Sequence, residues 1–332
     1  MREVILADSA TRPPPFAKRV PVLSFIPETQ IGSVAMMTQP VTELLEIDDL
    51  APEPQEEWQR MLRFVGFGPE ARRAALPTVE TLLKSAHEMV VETYDYLARV
   101  PETAAVLGWE SAVDPVHLEE RRRFFTIWLS RSLALDTSDE FALALFRAGK
   151  FHAADGPRRI HTPEAYVSGS IGLMLGAFSD RMTRAQLPGA VIGPAMGAWS
   201  RYLSAQLNQM LFGYRLAMDM KRGSAAVRCA FFGRLRALVD TSEFVVRADA
   251  GEPVRNVLRK LFNYFPLARA DALERRWQSH ERQDSAWADM TSSYLPRYGW
   301  RVLLNGRDLE YAGGFSARLG QADEISIFPP GR

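Results

Sequence analysis

The chain has 332 residues, and its 40 Lys and Arg residues balance 40 Asp and Glu residues, so the formal net charge is zero. This length predicts two domains, each with its own core. The balanced charge argues against nucleic acid or an anionic membrane as a partner, because neither is attracted to a neutral surface. The single cysteine, Cys229, excludes an internal disulfide. We therefore expect a cytoplasmic protein, since no apolar run approaches the roughly 18 residues of a membrane span.

The first part of the chain is predicted to be an arm followed by a helical domain. Residues 1–46 combine Pro13-Pro14-Pro15 with scattered apolar residues, which predicts an extended, partly disordered arm. Residues 47–222 show successive helical patterns with short breaks, which predicts an all-α domain. The predicted helices are Pro54–Val65, Pro69–Leu76, Val79–Val100, His117–Leu135, Ser138–His152, Pro163–Met182 and Pro188–Met220.

Residues 223–332 are predicted to form a second, smaller α+β domain, because the apolar period shortens toward two after Lys221–Ser224. An irregular polar insertion is expected at about residues 266–298. The predicted strands and helix are Val227–Leu235, Phe244–Arg247, Val254–Phe262 (the helix), Arg301–Asn305 and Ile325–Phe328.

His152 is the first candidate for binding a cofactor. Phe141, Leu145, Ala148 and His152 are spaced by four, three and four residues, so they share one helix face and His152 points inward. A lone histidine in such a position is more often a core residue bonded to a backbone carbonyl. The stripe alone therefore leaves both interpretations open.

A second inward polar group favours a cofactor. Leu83, Val90, Tyr94 and Leu97 form a stripe on the preceding long helix, and the phenol of Tyr94 within it needs a hydrogen-bond partner. A histidine that can bind iron, a tyrosine from another helix and aromatic walls together predict a haem cavity, although each aromatic taken singly is typical of an ordinary core. The predicted walls are Phe124, Phe125, Trp128 and Phe141.

The helical domain resembles the globin domain of globin-coupled sensors and protoglobins. The resemblance is carried by Met61–Phe67 (MLRFVGF), Val90–Leu97 (VVETYDYL), Gly149–His152 (GKFH) and Pro163–Val167 (PEAYV). It implies a globin fold that binds haem b, with His152 as the proximal iron ligand and Tyr94 on the distal side. Phe125, Trp128 and Phe141 are the further cofactor-binding candidates.

Two other histidines compete for a role in the haem site. The stretch from Ala153 to His161 is longer than in typical sensors and closer to the protoglobin arrangement, which makes His161 the alternative iron ligand. Its simplest interpretation is a loop residue near the haem edge, because Thr162 is placed to cap the next helix. His117 opens the helix across the distal face, where we expect an exposed position.

The carboxy-terminal domain resembles the small ubiquitin-like subunit of molybdopterin synthase and related sulfur carriers, which implies a β-grasp fold. The resemblance is carried by Phe231–Arg236 (FFGRLR), Val302–Asp308 (VLLNGRD) and Asp323–Pro330 (DEISIFPP). Sulfur carriers of this kind end in a diglycine whose carboxylate is activated. This chain ends Pro329-Pro330-Gly331-Arg332, so we expect a retained fold with altered or lost carrier function.

The leading hypothesis is a haem protein that binds O2, NO or CO and couples gas or redox state to the ubiquitin-like domain. The alternative is a sulfur carrier or interaction partner of a pterin-pathway enzyme, with a haem-free helical scaffold. Haem-dependent redox turnover is a third possibility, but no flavin- or nicotinamide-binding glycine motif accompanies it. A homodimer through the last two long helices is also expected, because small residues there permit close approach; they are Gly189, Gly193, Ala195 and Gly197.

Overall fold

A computed structural model describes residues 45–281 and 288–330, with the side chains at 278–281 and 288–290 left out. The predicted arm at 1–46 lies outside the described residues except for its last two positions. Gly331 and Arg332, where the expected diglycine is missing, also lie outside them. The helical and carboxy-terminal domains belong to one compact unit.

The amino-terminal domain is helical, as predicted. Proline opens several of its helices, a position where the missing N–H costs no hydrogen bond. The helices are α1 (Pro54–Phe64), α2 (Pro69–Lys84), α3 (Ala86–Arg99), α4 (Pro101–Leu107), α5 (Pro115–Leu133), α6 (Asp139–His152), α7 (Glu164–Arg184) and α8 (Gly189–Met220).

The break predicted between Leu76 and Val79 is wrong. Helix α2 continues through Pro77 and ends at Lys84. Packing overrides the proline, because Thr78 and Leu82 are fully buried and Trp199 of α8 donates from Nε1 to Thr78 Oγ1 at 3.0 Å. Leu83, placed in the inward stripe, is 55% exposed and belongs to α2 rather than to the helix of Tyr94.

Helix α8 is the central element of the helical core and makes its closest approach to α6. A Cβ added to Gly149 would lie 1.8 Å from the carbonyl oxygen of Met210, and one added to Gly213 would lie 2.0 Å from that of Phe146. The two backbones therefore touch where only hydrogen atoms fit. This contact fixes α6, and with it His152, against α8.

The carboxy-terminal domain is a mixed sheet covered by helices. Its five-stranded sheet has the order β2-β1-β7-β5-β6, in which β1 is parallel to β7 and the other pairs are antiparallel. The elements are β1 (Ala225–Phe231), α9 (Leu235–Val239), β2 (Glu243–Ala248), α10 (Val254–Tyr264), α11 (Pro266–Ala272), β3 (Leu273–Glu281), β4 (Ala288–Pro296), β5 (Arg301–Leu304), β6 (Arg307–Asp308) and β7 (Glu324–Phe328).

This arrangement is the predicted β-grasp fold: a first hairpin, a helix across the sheet, and a last strand lying parallel to the first. Alternate side chains of β1 and β7 form the buried face, and the apolar stripe of α10 belongs to the same core. This core contains Val227, Cys229, Phe231, Ile325, Ile327, Val257, Leu258 and Leu261.

The described part of the insertion predicted as irregular is ordered. Helix α11 and the antiparallel pair β3–β4 occupy it, with Leu273 opposite Pro296 and Glu281 opposite Ala288. The hairpin was not evident from the sequence, because β3 is rich in charged residues such as Glu274 and Glu281, which are uncommon in strands. The prediction of an irregular segment is therefore wrong.

The segment just before α1 packs on the β-grasp domain. Ile47 forms an isolated antiparallel bridge with Tyr294 of β4, and its side chain is buried in the carboxy-terminal core. Arg269 of α11, 2% exposed, donates from Nε to Glu53 and from Nη1 to the carbonyl of Ala51, both at 2.6 Å. The segment thus ties the start of the helical domain to the end of the chain.

Among the helices that the structure describes, none combines the length and the apolar character that crossing a bilayer requires.

Candidate functional site

His152 is the last residue of α6. The hydroxyl of Ser138 accepts a hydrogen bond from Phe141 N and caps the start of this helix, and the buried side chains of Phe141 and Leu145 orient it. The carbonyl of His152 accepts a hydrogen bond from Thr162 N at 2.8 Å. The described residues offer no hydrogen-bond partner to the His152 ring.

The His152 ring is in the form that binds iron. Burial lowers its pKa to about 4, and the positive charge of Arg121 adds to the effect. The imidazole is therefore neutral near pH 7 and keeps a lone pair for coordination. The more common role of a lone histidine, a ring bonded to a nearby carbonyl, is absent here among the described residues.

Tyr94 lies on α3 and reaches toward α5. Its hydroxyl donates to the carbonyl of Arg121 at 3.1 Å, and its ring meets Phe125 edge-on with centroids 5.9 Å apart. Burial raises the pKa of Tyr94 to about 12, so the phenol stays protonated. Tyr94 is thus a hydrogen-bond donor at neutral pH.

Phe125 and Trp128 extend the aromatic row along α5. Their ring centroids are 5.2 Å apart, and Trp128 donates from Nε1 to Gln206 Oε1 of α8 at 2.8 Å. The structure therefore brings Tyr94, Phe125 and Trp128 together. The charge of Arg121 acts on both Tyr94 and His152: it adds to the effect of burial in lowering the pKa of His152, and it opposes the rise that burial causes in the pKa of Tyr94.

The structure does not bring Phe141 to this group. Phe141 is 1% exposed and packs against Trp58 at a centroid distance of 6.2 Å, with the guanidinium of Arg131 over its ring. It precedes His152 by eleven residues on one helix, which is about 16 Å at 1.5 Å per residue. Phe124, also predicted as a wall, is 60% exposed on the outer face of α5.

His161, the alternative iron ligand, has a partner of its own. Its Nε2 lies 2.8 Å from the hydroxyl of Tyr214, and its backbone pairs with Ala153 in an isolated antiparallel bridge. The residue is exposed. Of the two candidates, only His152 combines a partly buried ring with nitrogens that no described residue engages.

Three further residues at the site were missed or misplaced by the sequence reasoning. His117 was expected to be exposed, but it is 3% exposed, and its ring lies between Trp109 and Arg121. His117, Arg121 and Phe125 are spaced by four residues, so the helical period already put them on one face. Trp109 carries no such signal, because it follows the left-handed turn at Gly108 that ends α4.

The end of α6 also contacts the β-grasp domain. Lys150 lies over the ring of Tyr264, with Nζ 3.9 Å from the centroid, and donates to the Tyr264 carbonyl at 3.3 Å. The Tyr264 hydroxyl donates to Asp155 Oδ2 at 2.9 Å, and Lys221 pairs with Asp155 Oδ1 at 2.6 Å. The contact residues Lys150 and Asp155 lie on either side of His152 in the sequence.

The donor set at this site fits haem. Haem iron needs only one or two protein ligands, because the porphyrin supplies four nitrogens, and a neutral imidazole such as that of His152 is a common axial ligand. Tyr94, Phe125 and Trp128 supply the apolar walls and one protonated donor that such a pocket uses. The described part of the chain contains no cluster of three or more His, Cys, Asp or Glu side chains that could hold a bare metal ion.

Comparison with known proteins identifies the helical domain. Residues 55–218 match the model of the Protoglobin family. The helical part of this chain is therefore a Protoglobin domain, fused to a β-grasp domain. No curated protein matches the chain at a significant level.

Several solved structures are similar to about a third of this chain and cover most of their own length. Small archaeal modifier protein 1 from Haloferax volcanii is 16% identical, with 32% of this chain and 97% of that chain covered and a TM-score of 0.23. The Methanosarcina acetivorans protein of the same name is 24% identical, covering 32% and 93%, with a TM-score of 0.23. A putative molybdopterin converting factor subunit 1 from Pyrococcus furiosus is 18% identical, covering 32% and 100%, with a TM-score of 0.22.

Proposed function

We propose that this protein binds haem through His152, takes up a diatomic gas (O2, NO or CO) on the Tyr94 side, and passes the state of the pocket to its β-grasp domain. The observation that carries the proposal is the neutral imidazole of His152, which has no described partner at the end of a helix fixed against α8. The match of residues 55–218 to the Protoglobin family supports it.

Each site residue has a defined task in this proposal. Haem, when bound, supplies an iron that can take a gas ligand. His152 would hold the iron, and the α6–α8 contact at Gly149 fixes the helix that carries its ring. Tyr94 donates a hydrogen bond to a polar ligand in the pocket, an interaction worth about 1.5–3 kcal/mol when the acceptor carries charge. Phe125 and Trp128 exclude water.

The first test is the absorption spectrum of the full chain, expressed with a haem precursor, in ferric, ferrous and carbon-monoxide forms. We expect a Soret band that shifts with carbon monoxide in the wild type and is lost or altered in His152→Ala. His161→Ala is the matched control and should retain the wild-type spectrum. A wild type without stoichiometric haem, or a spectrum that depends on His161 instead, would refute the proposal.

The proposed relay runs through the end of α6. Lys150 and Asp155 lie on either side of His152, and both contact Tyr264 at the end of α10. A shift of His152 on ligand binding therefore changes contacts with the β-grasp domain, and by linkage those contacts influence ligand affinity.

Tyr264→Phe removes only the hydrogen bond to Asp155 and tests the relay. We expect the carbon-monoxide affinity of the ferrous protein to change about fivefold or more, the lower range of usual couplings. Tyr311→Phe, at a tyrosine that is 73% exposed, is the control and should leave the affinity unchanged. Equal affinities in both variants would show that the domains do not communicate through this contact.

The sulfur-carrier alternative is not favoured, because the end of the described chain packs on its own domain. A Cβ added to Gly233 would lie 2.8 Å from Pro329 Cγ, and one added to Gly299 would lie 2.7 Å from Pro330 Cβ. Phe328 stacks on Phe232 with centroids 4.0 Å apart. A carrier tail has to extend into a partner's active site, so this packing supports an interaction module instead.

A homodimer through α7 and α8 is also proposed. Both helices expose glycines at which an added Cβ would meet nothing within 4 Å: Gly169, Gly172 and Gly176 on α7, and Gly189, Gly193 and Gly197 on α8. These glycines therefore do not serve packing within the chain, whereas Ala195 is buried inside it. A face without side chains permits close approach of a second copy.

Gly193→Arg tests the dimer, because the monomer has room for the side chain and a dimer through this face does not. Light scattering should give twice the chain mass for the wild type and the single mass for the variant. Ala144→Arg, at an exposed position of α6, should remain dimeric. A monomeric wild type, or a dimeric Gly193→Arg, would contradict the proposal.

A further inference from the structure

Arg121 is a partly buried cation of α5 without an ion-pair partner among the described residues. Its Nε lies 3.0 Å from His117 Nε2, and its carbonyl accepts the hydrogen bond of Tyr94. Its positive charge also adds to the effect of burial in lowering the pKa of His152, and it opposes the rise that burial causes in the pKa of Tyr94. The charge of Arg121 therefore acts on both candidate site residues.

Two carboxylates at the start of the same helix are already engaged. Glu120 accepts a hydrogen bond from Arg158 at 2.7 Å, and Asp114 pairs with the same arginine at 3.5 Å. No described carboxylate lies within ion-pair distance of Arg121, and no described residue bonds its terminal nitrogens. Burial lowers the pKa of Arg121, although the neighbouring Tyr94 and Glu120 oppose part of this effect.

His117 shows that the cluster has more donors than acceptors. Its Nδ1 faces Trp109 Nε1 at 3.2 Å and its Nε2 faces Arg121 Nε at 3.0 Å, and both of these groups are donors only. Burial lowers the pKa of His117, so its ring is neutral and has one lone pair. One of the two donors therefore has no acceptor in His117.

We propose, on the basis of the proposed haem function, that Arg121 gives this pocket a second class of ligand besides neutral gases, namely small monovalent anions such as azide or nitrite. An anion held by the Arg121 guanidinium supplies the missing acceptor and the missing negative charge at once. Tyr94 lies beside it as a second donor, once it releases the Arg121 carbonyl. A charge-assisted bond to a guanidinium is stronger than one between neutral groups.

The test compares an anionic with a neutral ligand in the same pocket. In the full-length haem-loaded protein, Arg121→Met should weaken azide binding to the ferric form about tenfold or more, while carbon-monoxide affinity of the ferrous form stays within about twofold. Arg121→Lys keeps the charge and should restore part of the azide affinity. Arg123→Met removes an exposed charge from the same helix and should leave azide binding unchanged.

A second measurement needs no haem. In the haem-free full chain labelled with 15N-arginine, the Nε–H resonance that disappears in Arg121→Lys should shift saturably when azide is added. If the absorption spectrum shows that the wild type binds no haem, the proposed function is wrong. The azide titration of the haem-free chain still tests whether Arg121 binds an anion.

Three results would overturn the inference. Azide affinity could be unchanged in Arg121→Met. The affinities for azide and carbon monoxide could also fall by the same factor, which would indicate a structural role for Arg121. Arg121→Met could also lose haem while the remaining holoprotein binds azide normally, which assigns Arg121 to the haem carboxylates. If the protein binds no haem, an Arg121 resonance that does not shift when azide is added also overturns the inference.

Discussion

The contact of α6 with α8 gives the most direct test of how the fold positions His152. At Gly149 an added Cβ would lie 1.8 Å from the Met210 carbonyl oxygen and 2.9 Å from Tyr214 N, both backbone atoms. No change of rotamer relieves such an overlap, so Gly149→Ala has to push the two helices apart. His152 is three residues further along α6 and moves with it.

The expected cost follows from two opposing contributions. Alanine is more favourable than glycine in a helix by about 1 kcal/mol. Overpacking a close contact costs about 1–3 kcal/mol, and the upper end applies where backbone meets backbone. We therefore expect Gly149→Ala to lower the free energy of unfolding by about 2 kcal/mol and to weaken haem retention.

Urea unfolding of the haem-free chain, followed by helical circular dichroism, measures this difference, and haem transfer to apomyoglobin measures retention. Ala144→Gly is the control: it exchanges the same two residue types at an exposed position of α6, so only the helical difference of about 1 kcal/mol remains. A Gly149→Ala protein as stable as the wild type would refute the argument that this glycine fixes α6.

Three further predictions follow from burial and pairing. The pKa of His152 is about 4 in the folded protein against an ordinary 6.5, so the unfolded chain binds the proton at a higher pH than the folded chain does. The haem-free protein should therefore lose up to about 3 kcal/mol of stability as the pH falls from 6.5 to 4. His152→Leu should remove this pH dependence without changing stability above pH 7. Cys229 is fully buried, and burial raises its pKa to about 12, so native protein should resist iodoacetamide and react only in denaturant; fast native alkylation would contradict this. Arg269→Met leaves Glu53 without its buried partner and should cost about 2–4 kcal/mol and expose residues 45–53 to protease, whereas Arg301→Met, at a largely exposed pair with Asp308, should cost less than about 1 kcal/mol.

The sequence could predict where His152 lies on its helix, because the relevant information is local. Phe141, Leu145, Ala148 and His152 lie on one face of one helix, and α6 has the predicted end. The same spacing could not distinguish a residue of the cofactor pocket from an ordinary core residue. Phe141 lies on the same helix face as His152, but it is eleven residues away and packs against Trp58 instead. A periodic pattern gives the face of a helix and not the position along its axis at which a cofactor fits.

The break expected at Pro77 and the irregular insertion at 266–298 failed for a different reason. In α2, contacts with Trp199, more than a hundred residues away, outweigh the hydrogen bond that proline removes. In the insertion, backbone pairing between β3 and β4 supplies order that the charged side chains do not indicate. Both outcomes depend on contacts between distant residues, which local propensity does not contain.

The end of α6 carries two functions that the sequence presents as unrelated. Gly149 fixes the helix against α8, His152 faces the candidate pocket, and Lys150 and Asp155 bind Tyr264 of the β-grasp domain. Because the chain covers these positions in seven residues, His152 cannot move far without moving the contacts to Tyr264. A rigid α6–α8 crossing leaves the segment after Gly149 as the part able to respond. In the proposed function, the coupling between the domains therefore depends on the few residues that flank His152, and substitutions there should change ligand affinity and domain contacts together.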